Sequence, residues 1–167
     1  SYFELGVSAE DWLTQAVAFA LEPDYTVIRQ TEVANTQLMC RGYADLVVAK
    51  PGEAHLYEIK RPVATSKPTV HYALQTLFYG MTLRELIPER TWYFNLLMRT
   101  NRGICCWQFK EENQGFYFLV DLSTGEIWVD ENNEVIFISE QMVRDEIATH
   151  HFYLDRLSKE LPVECPI

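Results

Sequence analysis

Hydrophobic positions along the chain alternate between a helical period and a strand period, and this predicts the order of the secondary-structure elements. Ser8 can cap a helix that begins at Ala9, because apolar residues follow at helical spacing until Pro23. Three strands with tight connections are predicted next: Tyr25–Val33, Gln37–Ala49 and Ala54–Ile59. Pro51 and Gly52 form the turn between the last two of these strands.

The second half of the chain continues with helices and strands in mixed order. The stretch from Arg61 to Val70 reads as a loop, because Pro62 and Pro68 interrupt it. The elements predicted after it are a helix over His71–Leu86 and strands over Thr91–Met98, Ile104–Phe109, Phe116–Val120 and Ile127–Val129, the last two forming a hairpin. Ser139 caps a last helix, whose inner side is predicted to contain Val143, Ile147, Leu154 and Leu157.

This order predicts one mixed α/β (α+β) domain over residues 1–167, with a central mixed β-sheet flanked by helices. Its core covers about residues 8–110, and an acidic hairpin and helix occupy residues 111–167. Hydrophobic residues make up 48% of the chain and charged residues 23%, as in ordinary globular proteins. No apolar run is long enough to cross a membrane and no secretory segment is evident, so we expect a cytoplasmic protein.

The net charge of −10 is distributed unevenly. Residues 1–110 carry 11 Lys/Arg and 11 Asp/Glu, whereas residues 111–167 carry 3 and 13. A neutral first part is compatible with nucleic-acid binding. The acidic last third is either a solvated face, a surface that binds a protein partner or a second copy, or a surface that repels DNA.

The four cysteines, at positions 40, 105, 106 and 165, lack CxxC spacing. Neighbouring Cys105 and Cys106 would point to opposite faces of a strand, which disfavours a shared zinc ion. Buried thiols in a reducing cytoplasm are the preferred interpretation, and a disulfide or a metal cluster stays open as an alternative.

The stretch with the clearest chemistry joins two predicted neighbouring strands. Asp45 lies in one strand, and Glu58 and Lys60, two residues apart, project from one face of the next. If the strands pair antiparallel through the Pro51–Gly52 turn, the three side chains converge. Two carboxylates beside a lysine on a half-buried sheet are costly unless something pairs with them, and a hard divalent cation such as Mg²⁺ offsets that cost. A chance Glu-Ile-Lys pattern on an exposed strand is the competing interpretation.

The following helix adds Gln75 and Tyr79, which stand one turn apart on a single face. In this order, Gly42-Tyr-Ala-Asp45, Glu58-Ile-Lys60 and Gln75-Thr-Leu-Phe-Tyr79 resemble the GxxD, ExK and QxxxY motifs of PD-(D/E)XK nucleases. The resemblance covers about residues 8–98. It is to the RecB-like branch, which includes recombination exonucleases and the exonucleases of CRISPR adaptation.

The resemblance implies a restriction-endonuclease-like fold and a metal-dependent nuclease that acts in DNA repair or defence. Asp45, Glu58 and the backbone carbonyl of Ile59 would bind Mg²⁺, for which Mn²⁺ would substitute. Lys60 would orient or help to deprotonate the attacking water, and Gln75 would hold the site. Tyr79 would contact a phosphate or the DNA strand.

Further residues follow from the resemblance and from charge. Many relatives add an acid from the first helix, for which Glu10 is the candidate and Glu32 the reserve. Arg61 and Lys67 are predicted to bind nucleic-acid phosphates on a face away from the acidic last third. No late cysteine triplet matches the iron–sulfur ligands of many relatives, so no cluster is expected. His150 and His151 are predicted to be ordinary residues of the last helix.

The expected activity is hydrolysis of DNA phosphodiester bonds, with an exonuclease favoured slightly over a structure-specific endonuclease. RNA stays open as a substrate. The alternatives are a catalytically inactive relative that serves as a nucleic-acid- or protein-binding subunit, and an unrelated acidic interaction protein with accidental motifs.

Overall fold

The computed structural model describes residues 26–100, 103–149 and 155–156, without the side chains of residues 61–63, 155 and 156. The elements of this part are β1 (Thr26–Asn35), β2 (Cys40–Lys50), β3 (Glu53–Val63), α1 (Val70–Leu86), β4 (Thr91–Thr100), β5 (Gly103–Asn113), β6 (Phe116–Asp121), β7 (Ile138–Ser139), α2 (Glu140–Ala148) and β8 (Asp155–Arg156). No helix in this part is both long and apolar enough to cross a membrane.

Seven strands form a mixed sheet in sequential order from β1 to β7, and β8 pairs with β2. The first three strands are an antiparallel meander. β3 and β4 are parallel, with α1 as the crossover between them, and the remaining neighbours are antiparallel. The two described helices and this sheet make an α+β fold, so the predicted mixed sheet is confirmed.

Helix α1 is the central element of the core and packs most closely against β4. Its first turn is capped by Thr69, whose hydroxyl accepts the Tyr72 N–H at 3.1 Å. Ten of its residues are buried, so its apolar surface extends almost all the way round. A Cβ at Gly80 would lie 2.7 Å from the Phe94 ring, so glycine is what lets the helix approach the sheet this closely.

The main core lies on the α1 side of the sheet. Its largest buried side chains include Phe78, Leu56, Leu96 and Trp107. On the opposite face, Ile59 and Leu97 are also buried, each 5% exposed. The sheet is therefore buried on both faces around the middle of β3 and β4.

Most predicted elements occur within a few residues of their expected bounds, but three predictions are wrong. The third strand continues to Val63 instead of giving way to a loop at Arg61, because a register shift after Lys60 lets β3 rejoin β4 at Val63 and Thr100. Pro62 falls at this irregularity, where a missing N–H is tolerated. Ile127–Val129 forms single bridges to Val120 and Val135 rather than a strand, although the bridge to Val120 has the predicted antiparallel direction of a hairpin.

The last helix is the third error, because it ends at Ala148 and residues 155–156 form β8. This short strand pairs with Cys40 and Arg41 of β2, which lie beyond the end of the β2–β3 pairing. It thus satisfies backbone groups that a longer helix would have left without a strand partner. Leu154, Leu157, His150 and His151, which were assigned to that helix, lie outside the described residues.

Of the thiols that were expected to be buried, Cys40 and Cys105 are buried and Cys106 is half-buried. Cys105 belongs to the main core, whereas Cys106 packs against Ile59 and Leu97, so the two neighbours do point to opposite faces. Burial raises the pKa of the Cys106 thiol to about 12, which keeps it protonated and unreactive. Cys165 lies outside the described residues.

Candidate functional site

The candidate site lies where β2 and β3 separate. Their antiparallel pairing runs from Lys50 and Glu53 to Leu46 and Tyr57 and ends there. The Pro51–Gly52 turn closes this hairpin, and Gly52 has a φ of +87°, which favours glycine. Beyond the last pair the two strands no longer bond to each other, and the next residues are Asp45 on β2 and Glu58 on β3.

Side chains bridge this gap in place of backbone hydrogen bonds. The Asp45 N–H donates to Glu58 Oε1 at 3.0 Å, and the Ile59 N–H donates to Asp45 Oδ2 at 2.8 Å. Each carboxylate therefore accepts a backbone donor of the opposite strand. The convergence predicted from the strand pairing is confirmed for Asp45 and Glu58, which the two bonds hold next to each other.

Glu58 is the more deeply buried acid, with 2% of its surface exposed. Burial raises the pKa of the Glu58 carboxyl well above its ordinary value of 4.5, and the Asp45 carboxylate raises it further. The Lys60 ammonium and the hydrogen bond from the Asp45 N–H act in the opposite direction. Because the raising effects win, the surroundings disfavour the charged form of Glu58.

Lys60 reaches from β3 towards α1. Its ammonium donates to Gln75 Oε1 at 2.6 Å and lies 5.1 Å from the centre of the Tyr72 ring. Gln75 and Tyr72 stand three residues apart on the helix and so share a face. The structure thus brings Gln75 to the site together with Lys60, and it adds Tyr72, which the sequence analysis missed although its spacing from Gln75 could have suggested it.

Gln30 is a second residue that the sequence analysis missed. It occupies the β1 position opposite Asp45, between the pairs Arg29–Leu46 and Thr31–Ala44, and its φ is +50°. Its side-chain amide donates to Asp45 Oδ1 at 3.4 Å. A non-glycine residue in the left-handed region costs free energy, which draws attention to this position. Nothing in the sequence marks Gln30, since its role follows from strand register.

Comparison of the chain with family models, with curated proteins and with solved structures found no match.

The donor set at the gap suits a hard cation, because carboxylate oxygens are the preferred ligands of Mg²⁺. The N–H and C=O of one strand residue point to the same side, so the Ile59 carbonyl is expected on the side of Asp45, which accepts the Ile59 N–H. Within the described ranges, no group of three or more His, Cys, Asp or Glu side chains is placed to hold a metal. Asp45 and Glu58 thus fit a cation as two side-chain ligands that require a backbone or water complement.

The remaining predicted site residues lie further from the gap or are not described. Tyr79 is 4% exposed and its ring lies 5.3 Å from that of Phe78, so it packs in the core and its contact with DNA stays a prediction. Glu32, the reserve acid, forms an ion pair with Arg41 at 3.4 Å. Glu10 lies outside the described residues, and the Arg61 side chain is not described.

Lys67 departs from one expectation about the DNA face. Its ammonium lies 3.2 Å from a carboxylate oxygen of Glu126, which belongs to the acidic last third. The loop that carries Lys67 is also tied to β5, since the Trp107 indole N–H donates to the Ser66 carbonyl at 2.9 Å. The prediction that this lysine lies away from the acidic segment is therefore wrong, because β5 and the turn after β6 pack beside its loop.

Proposed function

We propose that this protein is a divalent-metal-dependent nuclease that hydrolyses DNA phosphodiester bonds. The observation that carries the proposal is the pair of carboxylates, Asp45 and Glu58, that crosses the gap between β2 and β3 beside Lys60. Strand periodicity and the Pro51–Gly52 turn predict that Asp45, Glu58 and Lys60 converge, and two acids beside a lysine are what a nuclease site of this kind requires. An accidental Glu-Ile-Lys pattern on an exposed strand would not be accompanied by a buried Glu58.

A restriction-endonuclease-like fold belongs to the same proposal. In its support, an antiparallel meander leads into a parallel pair of strands through a buried crossover helix, and that helix supplies Gln75. The acids thus come from the meander and the residue that contacts Lys60 comes from the crossover helix.

In the proposed mechanism, Asp45, Glu58 and the Ile59 carbonyl would hold Mg²⁺ or Mn²⁺. The bound cation would lower the pKa of an attacking water and offset the charge that develops on the phosphate. Gln75 holds the Lys60 ammonium through a short hydrogen bond, which restricts the lysine to the α1 side of β3. There Lys60 would donate hydrogen bonds to a phosphate oxygen or orient the water.

The substrate is proposed to be DNA. Digestion from a DNA end is favoured slightly over cleavage at a branched structure. Lys67 is the described basic residue that was predicted to contact phosphates, and it is exposed. Its ion pair with Glu126 is also exposed, so a phosphate can compete for the ammonium at little cost.

The decisive experiment is a gel assay of the full chain with single-stranded, duplex and branched DNA and with RNA. Each substrate is incubated with Mg²⁺, with Mn²⁺ and with Ca²⁺, which supports binding without hydrolysis. We expect products with Mg²⁺ or Mn²⁺ from wild type and from Lys110→Ala, but not from Lys60→Ala. Lys110 is the matched control because it is an exposed lysine that bonds to Gln108 on β5. DNA binding without hydrolysis by wild type would instead favour an inactive binding subunit.

A further inference from the structure

The outer face of β6 presents apolar side chains to solvent. Phe116, Phe118 and Val120 alternate with buried residues along this strand, so they share the face opposite the main core. Ile127 is the antiparallel partner of Val120, and the Phe137 ring lies 6.2 Å from that of Phe118. We call these five residues the β6 apolar patch.

The exposure of the β6 apolar patch is large for aromatic and aliphatic residues that adjoin one another. Phe116 is 51% exposed, Phe137 43% and Ile127 40%. A single exposed apolar residue needs no explanation, but a contiguous group with a polar rim is typical of a protein interaction site.

The rim of the β6 apolar patch is acidic. Residues 111–149 contain ten Asp or Glu residues and one basic residue. Glu126, which directly precedes Ile127, pairs with Lys67. Exposed Asp130, Glu131 and Glu134 lie in the loop closed by the bridge between residues 129 and 135. One basic residue also borders the patch: Lys110 of β5 lies opposite Phe118, and its ammonium donates to Gln108 Oε1 at 2.8 Å.

We propose that the β6 apolar patch is a docking surface for a partner protein that presents a basic segment with exposed apolar side chains. Apolar residues of the partner would cover the aromatic rings, and its Lys or Arg residues would face the acidic rim. A second copy of this chain fits less well, because a two-fold interface places the same patch on both sides and brings the two acidic rims together. Nucleic acid is disfavoured by the same charge.

The test uses three fluorescein-labelled synthetic peptides of equal length and the full chain, measured by fluorescence anisotropy over a salt series. One peptide combines lysine with leucine, the second replaces leucine by serine, and the third replaces lysine by glutamate. We expect the lysine–leucine peptide to bind most tightly, with an affinity that falls as salt rises. Equal binding of the serine peptide, or of the glutamate peptide, would overturn the proposal, because one of the two proposed features would then be irrelevant.

Variants place the binding on the patch. Phe116→Ser combined with Phe137→Ser should weaken the lysine–leucine peptide about tenfold. Glu131→Gln combined with Glu134→Gln should weaken it about threefold and flatten its salt dependence. Val70→Ser is the matched control, since Val70 is 43% exposed on α1, and it should leave binding unchanged. An unchanged affinity of the phenylalanine variant, with its folding verified by thermal unfolding, would contradict the proposal.

Sedimentation and the nuclease variant separate this proposal from its alternatives. If wild type sediments as a dimer and the double phenylalanine variant as a monomer, the patch binds a second copy and the proposal is wrong. The expected result is that both sediment as monomers. Lys60→Ala should bind the lysine–leucine peptide as wild type does, so the docking surface stands or fails independently of hydrolysis.

Discussion

Two polar clusters contact the same helix, α1, at different points along it, and they bring different charged groups together. Near the end of the helix, Arg84 donates to the Tyr117 hydroxyl at 2.6 Å and also to the Glu140 carboxylate. The Tyr117 hydroxyl donates in turn to Glu140 at 3.2 Å. One cation, one anion and one phenol thus satisfy one another, and burial raises the pKa of the Tyr117 phenol to about 12, so it stays neutral.

Near the beginning of α1, the cluster of Asp45, Glu58 and Lys60 brings two acids next to each other across the gap between β2 and β3. It contains two carboxylates and one ammonium, and the described partner of that ammonium is the neutral Gln75. The pKa of Glu58 is raised by burial and by Asp45, whereas that of Arg84 is raised by its hydrogen bonds despite burial. A self-satisfied cluster stabilises the fold, whereas a pair of adjacent acids in which burial strongly raises one pKa is more typical of a functional site.

Lys60→Ala should have the largest effect, and it acts on hydrolysis rather than on stability. Removing the ammonium should lower the rate by at least about 100-fold, since positioned charges and proton-transfer groups contribute that much. The fold should persist, because Lys60 is half-buried and Gln75 can bond to water in its absence. The measurement is single-turnover cleavage with Mn²⁺, together with circular dichroism. A folded Lys60→Ala protein with wild-type activity would exclude the mechanism.

Metal binding should depend on both carboxylates. Asp45→Asn and Glu58→Gln should each remove most of the thermal stabilisation that Mn²⁺ gives wild type, because each variant loses one charged ligand. Calorimetric titration with Mn²⁺ measures the affinities directly. Glu53→Gln is the matched control, since Glu53 pairs with Lys50 at the turn end of the hairpin and should leave Mn²⁺ affinity unchanged. Unchanged affinity in both site variants would show that these acids are not ligands.

In the absence of metal, Glu58→Gln should be more stable than wild type at neutral pH, by about 1–2 kcal/mol. A carboxyl whose pKa is raised on folding contributes its stability while protonated. That contribution is complete below the ordinary pKa of 4.5 and is lost as the pH rises through the higher folded value. The gain should therefore grow from acidic to neutral pH, which urea unfolding at several pH values measures. A constant difference would mean that Glu58 ionises normally.

The Arg84 cluster should respond in the opposite way. Arg84→Met should lower the free energy of unfolding by about 1–2 kcal/mol, a modest loss because 36% of the arginine side chain is exposed and solvent screens its charge. Hydrolysis per folded molecule should not change. A double-mutant cycle with Glu140→Gln, measured by urea unfolding, should show coupling between the two residues. If Arg84→Met is as stable as wild type, Arg84 does not stabilise the fold. If Arg84→Met folds but does not hydrolyse DNA, the two clusters do not differ in function as proposed.

Local pattern was sufficient to predict the meander, the crossover helix and the convergence of Asp45, Glu58 and Lys60. The Pro51–Gly52 turn allows only a short hairpin, and a hairpin fixes which residues lie opposite one another. Gln75 was also predicted, because it stands one helical turn before Tyr79 in the stretch that resembles the QxxxY motif. These features depend on residues close together in sequence.

Long-range pairing could not be predicted in the same way. β8 pairs with the part of β2 that β3 no longer pairs with. No local pattern in residues 150–157 indicates that this part of β2 lacks β3 as a neighbour. Gln30 contacts Asp45 only through strand register, and Lys67 contacts Glu126 only after β5 and the turn behind β6 pack beside its loop. The contact between Arg84 and Glu140, and with it the contrast between the two polar clusters, could not be predicted either, because the two residues are 56 positions apart.

The smallest expected effect concerns the exposed pair of Lys67 and Glu126, which tests how the acidic last third affects the DNA face. Glu126→Gln should tighten DNA binding by about two- to threefold, because it frees the ammonium and removes one repelling charge. Lys67→Gln should weaken binding by a similar factor. It should also make the salt dependence shallower, because a variant with one phosphate contact fewer releases fewer counterions on binding. Anisotropy with labelled DNA in Ca²⁺ over a salt series provides the measurement.

The matched control for this pair is Glu134→Gln, which replaces another glutamate in the loop beside the β6 apolar patch. It removes the same formal charge as Glu126→Gln but does not free Lys67. If the two variants tighten DNA binding equally, only the net charge of the chain matters and Lys67 is not a phosphate contact. If Glu126→Gln alone tightens binding, and Lys67→Gln abolishes that gain, the lysine contacts DNA and the acidic turn competes for it. A common carboxamide in both variants keeps side-chain size constant, so the difference between them isolates the ion pair.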